Sequence, residues 1–323
     1  MMKVLSLLAA TVLAASPASA LEKERPTVEV VFVLDTTGSM GGLLEGAKQR
    51  VWAIANEIAK GKPAPRVRMG LVAFRDKGDD YVTKVTPLSD NLDNIFKDLS
   101  ALQAGGGGDG PEHVIAGLSD AVEKMDWSKD RKAFKVVYLV GDAAPHEDYP
   151  EAPKLASVLE KAVRKGLIIN ALQCGADSAT TLAFTKVARL GEGRFMPVAQ
   201  DGGAVAVATP FDERLAEASG KLEGTMPAYG AGGKAARADM ALAASVRGMA
   251  AAPAAAERAV YKAREGFSSD KDLARAVAEK KVDLAAVKND DLPAEMRGLS
   301  LEEKRAKIAK VEAERAALRA EVA

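Results

Sequence analysis

The chain has 323 residues, enough for one sizeable domain and further elements. Its composition is 48% hydrophobic, so a full core can form, and 45 Lys and Arg balance 45 Asp and Glu. This zero formal net charge argues against function through bulk attraction to nucleic acid or to an anionic membrane.

The first segment, MMKVLSLLAATVLAASPASA, has a basic start at Lys3, an apolar run from Val4 to about Ala15, and then Ala18-Ser19-Ala20. That is the pattern of a secretory signal over residues 1–20, and it predicts cleavage near Ala20 and a periplasmic or secreted mature protein. The apolar run is shorter than the roughly 20 residues of a membrane span. No cysteine follows Ala20 to carry a lipid, and no later stretch is apolar enough to span, so no integral membrane span is expected in the mature chain. The one cysteine, Cys174, allows no internal disulfide and reads as a small buried apolar residue.

Val28 to Leu34 is apolar and β-branched, which predicts a buried strand. A helix follows, with Leu44, Ala47, Val51, Ile54 and Ile58 at helical spacing and Gly61 and Pro63 as stops. RVRMGLVAF and YVTKVTPL read as strands, and the short RDKGDD link makes them an antiparallel hairpin. NLDNIFKDLSAL is a helix, QAGGGGDGPE a glycine-rich loop, and EHVIAGLSDAVEKM a helix with Pro111 in its first turn. FKVVYLVGD is another apolar strand running into an aspartate, Asp142. Helix, strand, helix, strand (GRFMPV) and a helix over GGAVAVATPFDERLAEAS complete the series. The alternation predicts an α/β fold, a doubly wound, mostly parallel sheet with one antiparallel edge strand.

From about Gly220 the chain is rich in Ala and Gly, which reads as a linker with helical pieces over 220–256. Residues 257–323 read as an α-helical C-terminal region. Ser300-Leu301-Glu302-Glu303 is a capping box for the last helix. Lys304 and Arg315 interrupt its apolar seam, so a solvated helix is expected rather than a coiled coil.

In open α/β sheets ligands bind beyond the carboxyl ends of the strands. Asp35 and Asp142 both stand at such ends, and Thr37 and Ser39 add hydroxyls two and four residues after Asp35. Carboxylates brought together repel unless a cation or proton lies between them. All these donors are oxygens, which suits a hard cation, Mg²⁺ before Mn²⁺ or Ca²⁺. Asp35 and Ser39 also qualify as helix caps.

Asp35-Thr36-Thr37-Gly38-Ser39 at the end of a first strand resembles the metal-ion-dependent adhesion site of von Willebrand factor A domains. The resemblance covers residues 27–219 and implies the fold described above. It also implies an Asp-x-Ser-x-Ser loop, a Thr from a second loop and an Asp from a third. Thr37 then stands for the first serine, and Asp142 matches the third loop. The second loop, GGGGDGPEHV, departs from the pattern because it has no threonine. Asp109 is the candidate there, with Glu112 as the alternative. The implied metal set is Asp35, Thr37, Ser39, Asp109 and Asp142, with no catalytic residue.

Together with the leader pattern, the resemblance implies an exported divalent-cation-binding protein that mediates protein–protein binding, adhesion or complex assembly through this face. A partner's acidic side chain is the implied contact, and three carboxylates in the site would weaken that attraction. One alternative is a scaffold that binds partners through its C-terminal helices around a purely structural metal. The other is an aspartyl-phosphate phosphotransferase with Asp35 as nucleophile. GSMGG does not have the spacing of a nucleophile elbow, and GGGGDG lacks the Lys-Ser/Thr of a phosphate-binding loop. His113 and His146 read as exposed loop residues, and Arg75 and Asp76 as a turn or rim pair. Trp52 and Trp127 lack the basic interleaving of a single-strand stacking platform.

Overall fold

The structure is a computed structural model that describes residues 25–198, 212–245, 252–265 and 271–322. The leader expected over residues 1–20 and the first part of the helix expected from Gly202 lie outside the described residues.

Six strands form one sheet: β1 (Thr27–Asp35), β2 (Arg66–Phe74), β3 (Thr83–Ser89), β4 (Phe134–Gly141), β5 (Leu167–Cys174) and β6 (Glu192–Val198). Their order is β3-β2-β1-β4-β5-β6. All neighbours are parallel except the edge pair β2–β3. The chain winds outward from β1 to β2 and β3, then returns to place β4 on β1's other side. The crevice between β1 and β4 is therefore the topological switch point, where such sheets bind ligands.

Alternate residues of β1 face opposite layers. Val30, Phe32 and Leu34 pack with α1 (Leu44–Ala59) and α2 (Leu92–Ala101). Val31 and Val33 pack with α3 (Val114–Glu123), α4 (Leu155–Arg164) and α5 (Ser178–Leu190). Val30 to Leu34 are all 0% exposed, as expected of a strand covered on both faces.

The start of α3 differs from the sequence-based expectation, and the segment after α6 (Asp212–Gly224) is more closely packed than a linker. Pro111 lies outside α3, because Glu112, the residue after it, is drawn into a short parallel bridge with Pro145. Glu112 N–H donates to Ala144 O (2.9 Å) and His146 N–H donates to Glu112 O (3.0 Å), which locks two loops together. The segment read as a linker contains α7 (Gly230–Ser245) and the start of α8 (Ala252–Glu265). Its alanines have a packing role: Ala254 and, further on, Tyr261 join the core under α1 and α2, while Met226, Ala228, Ala236 and Met240 bury one another.

The chain continues through α6 (Asp212–Gly224), which precedes α7, and through α9 (Leu273–Ala278) and α10 (Leu301–Val322) after α8. The capping box forms as expected: Ser300 N–H donates to Glu303 Oε2 (2.8 Å) and Glu303 N–H to Ser300 Oγ (3.3 Å). The solvated reading of α10 is corrected at Arg315, which is 2% exposed. Its guanidinium pairs with Asp272, itself 0% exposed, and donates to Thr225 Oγ1 (2.9 Å).

Candidate metal centre

The DTTGS loop leaves β1 at the switch point and is held against the glycine-rich loop by its backbone. Gly38 N–H donates to Gly106 O (3.0 Å), and Gly105 N–H donates to Thr36 O (3.0 Å). A Cβ on Gly38 would lie 2.9 Å from Gly106 O, so this approach needs glycine. Gly106 has φ +75°, and a Cβ there would meet the Asp79 carboxylate at 2.3 Å.

The loop then strings four oxygens together. Thr37 donates to Asp35 Oδ1 from both its N–H (2.9 Å) and its hydroxyl (2.7 Å). Thr37 Oγ1 and Ser39 Oγ are 3.2 Å apart, and Ser39 Oγ donates to Asp142 Oδ1 (2.9 Å). Asp35, Thr37, Ser39 and Asp142 therefore converge on one rim from β1 and β4.

The rim is over-supplied with negative charge. Asp35 is 0% exposed and its Oδ2 has no hydrogen-bond partner. Among the described residues no lysine or arginine pairs with Asp35 or Asp142. Burial, helped by the charge of Asp142, pushes the Asp35 pKa up to about 7 against the pull of the Thr37 hydrogen bonds. Burial also raises the Asp142 pKa. A buried acceptor without a donor and an all-oxygen set fit a hard divalent cation.

Of the two second-loop candidates, Glu112 is the one beside this rim. A Cβ placed on Gly107 would touch both Glu112 Oε1 (2.8 Å) and Thr37 Cβ (3.4 Å), so the two side chains share the bare face of that glycine. Burial and then the charges of Asp35 and Asp76 push the Glu112 pKa up to about 8, and its Oε2 has no partner. Asp109 points its carboxylate elsewhere, with Oδ1 3.3 Å from His146 Nε2. The Glu112–Pro145 bridge accounts for this, since it carries Glu112 inward on the backbone while Asp109 stays on the exposed part of the loop.

The histidines are not the exposed loop groups expected. His113 and His146 are each 7% exposed. His146 stacks on Tyr149 (centroids 4.3 Å, 16°), and His113 meets the same ring edge-on (5.0 Å). Tyr149 OH donates to Asp76, 3.0 and 2.8 Å from its two carboxylate oxygens. Asp76 thus belongs to a histidine cluster, while Arg75 pairs with Asp80 (3.3 Å) and donates to Gln103 O (2.8 Å). A sequence signal for this cluster existed in His146-x-Asp148, since a carboxylate two residues on can hold an imidazole. Cys174 is buried and free as expected, with its thiol pushed up to about 12 by burial.

An open doubly wound sheet with acids and hydroxyls gathered at its switch point defines an α/β domain of the VWA/Rossmann-like class. The chain belongs to the von Willebrand factor A domain family, whose model matches residues 29–208. It is 32% identical over 124 residues to human von Willebrand factor A domain-containing protein 7, covering 38% of this chain and 13% of that protein. It is 26% identical over 122 residues to the alpha-protein kinase vwkA of Dictyostelium discoideum, covering 37% and 19%. The chain thus spans under a fifth of the length of these curated relatives. Among solved structures, the SpRpn10 VWA domain is similar over 57% of this chain and 95% of that one, with 14% identity and a TM-score of 0.41. Proximal thread matrix protein 1 from the mussel byssus, solved with a zinc-occupied MIDAS motif, is similar over 55% and 43%, with 16% identity and a TM-score of 0.43. No helix among the described residues is long and apolar enough to cross a membrane.

Proposed function

We propose that this chain is an exported binding protein whose switch-point rim is a metal-ion-dependent adhesion site. Asp35, Thr37, Ser39 and Asp142 hold Mg²⁺, with Glu112 supplying the second-loop oxygen in place of a threonine. Mn²⁺ and Ca²⁺ are the other hard ions the oxygen set accepts. The bound ion would supply positive charge at a face that otherwise carries clustered acids, and that face engages a protein partner. The reading is one of binding and assembly, not catalysis. Export rests on the leader pattern over residues 1–20.

The observation that carries this reading is the buried Asp35 carboxylate. Its Oδ2 lacks a partner, no basic side chain of the described residues pairs with it, and it is strung through two hydroxyls to Asp142. Such a group costs several kcal/mol as an uncompensated charge. It is explained by a cation that joins it.

The test couples metal to capture. In a pull-down with the exported form, partner recovery is expected with Mg²⁺ and is expected to be lost in EDTA and in Asp35→Asn. Equal recovery with and without chelator would reject a metal-dependent contact. Recovery that survives Asp35→Asn in a folded protein would instead favour a partner surface on the C-terminal helices.

A further inference from the structure

We propose that Asp76, Asp109 and His146 form a second cation site, separate from the switch-point rim, for a borderline divalent ion of the zinc class. The three residues come from the turn after β2, the glycine-rich loop and the segment after β4. Each offers one ligand atom, and these atoms lie within 4.8 Å of one another.

The imidazole is set up as a ligand. His146 Nδ1 lies 2.7 Å from Asp148 Oδ1, which holds the ring proton on that nitrogen. Nε2 then faces Asp109 Oδ1 at 3.3 Å and Asp76 Oδ2 at 3.8 Å. A carboxylate behind a ligating histidine is the usual outer partner that fixes its tautomer and orientation. Tyr149 adds a second support, since its ring stacks on His146 while its hydroxyl holds Asp76. A tetrahedral zinc with bonds of about 2.0–2.1 Å places its ligand atoms about 3.4 Å apart. The 3.3 and 3.8 Å separations lie close to that spacing.

Charge points the same way. Three carboxylates, Asp76, Asp109 and Asp148, surround His146, and among the described residues no lysine or arginine pairs with any of them. A protonated imidazole balances only one. The imidazole separates the two sites chemically: the rim offers oxygens only, whereas this cluster offers nitrogen and oxygen and favours a zinc-like ion. The site does not depend on the reading of the rim.

Zinc alone is the probe, titrated calorimetrically against Asp35→Asn protein, in which the rim has lost its central carboxylate. One equivalent of Zn²⁺ is expected to bind. At least a tenfold loss of affinity is expected when His146→Ala or Asp109→Asn is added. Asp109 is exposed, so Asp109→Asn keeps the test decisive where His146→Ala does not fold. Co²⁺ substitution should give a visible absorption band that disappears with His146→Ala. Absence of a zinc equivalent in Asp35→Asn, or undiminished binding in Asp109→Asn, overturns the proposal. Neither result bears on Mg²⁺ at the rim, which the wild-type pull-down reports.

Discussion

Asp35 shows what one buried carboxylate does at the end of a strand. Burial lifts its pKa from the ordinary carboxylate value of 3.8 to about 7, and that of Glu112 from 4.5 to about 8. Burial is the first cause in both cases. Between the unfolded and folded values the native protein therefore holds more protons than the unfolded chain, so stability falls as pH rises. Metal-free protein in EDTA is expected to melt at a lower temperature at pH 8.5 than at pH 5.5. The stabilisation added by Mg²⁺ should grow over the same range, because the cation replaces those protons. Asp35→Asn removes the charge but keeps the shape. It should lessen the pH dependence in EDTA, leaving the part due to the burial of Glu112, and abolish the Mg²⁺ shift. Thermal melts at three pH values, with and without Mg²⁺, check this. A melting temperature in EDTA that is level or rising with pH would contradict the burial argument. The residue types of this rim were legible in the sequence, since Asp35, Thr37, Ser39 and Asp142 sit at strand ends that topology must bring together. Which of Asp109 and Glu112 lies beside the rim was not legible. It depends on a single backbone bridge to Pro145, which no spacing rule encodes.

Among the elements, the strands and the helices of the sheet domain followed from periodicity, because each has a continuous apolar face or run. The C-terminal helices are harder to read. α10 carries Arg315 where an apolar seam would need a hydrophobe, and its role depends on a partner 43 residues away. Asp272 is that partner, and it also caps α9 by accepting from Arg275 N–H (2.8 Å). One carboxylate thus ties two helices together, while Thr225, just past the end of α6, takes a further guanidinium hydrogen bond (2.9 Å). Removing one member of a fully buried pair leaves the other charge uncompensated, at a cost of about 3–5 kcal/mol. Arg315→Ala is therefore expected to destabilise the protein by about that amount. Asp272→Asn with Arg315→Met should recover part of the loss, because no charge is then left alone. Urea unfolding of the single and double variants measures both. A change within about 0.5 kcal/mol for Arg315→Ala, the usual range of a surface substitution, would show that the pair is not buried in solution.

At the scale of the molecule, the sheet domain and the helices that follow share a core. Trp52 on α1 packs between Phe96 (centroids 6.2 Å) and Tyr261 of α8 (6.3 Å). Asn56 on α1 donates to Glu257 O on α8 (2.8 Å). Arg258 lies over the Phe96 ring at 4.3 Å and pairs with Asp93, and Lys262 reaches the same carboxylate at 2.5 Å. Glu223 of α6 completes the group, 2.9 Å from Arg258 Nη1 and 3.1 Å from Lys262. Two acids and two bases from three helices are thus buried together beside an aromatic cluster. A chain that ends at residue 224 would keep the strands and the rim but lose both bases. Asp93 and Glu223 would then be left without them, and one face of Trp52 would be uncovered. Such a truncation is expected to melt well below the full chain and to shift tryptophan emission to the red. The full chain should unfold in one transition seen alike by fluorescence and by far-ultraviolet circular dichroism, because Ala254 and Tyr261 of α8 complete the core under α1 and α2. Two separated transitions, or a truncated chain as stable as the whole, would mean that α8 is an appendage. If the single transition is found, metal at the rim should raise the stability of the C-terminal helices as well as the sheet. Hydrogen exchange in α8 with and without Mg²⁺ reads that coupling directly, and unchanged protection there would confine the effect of the ion to the loops around Asp35.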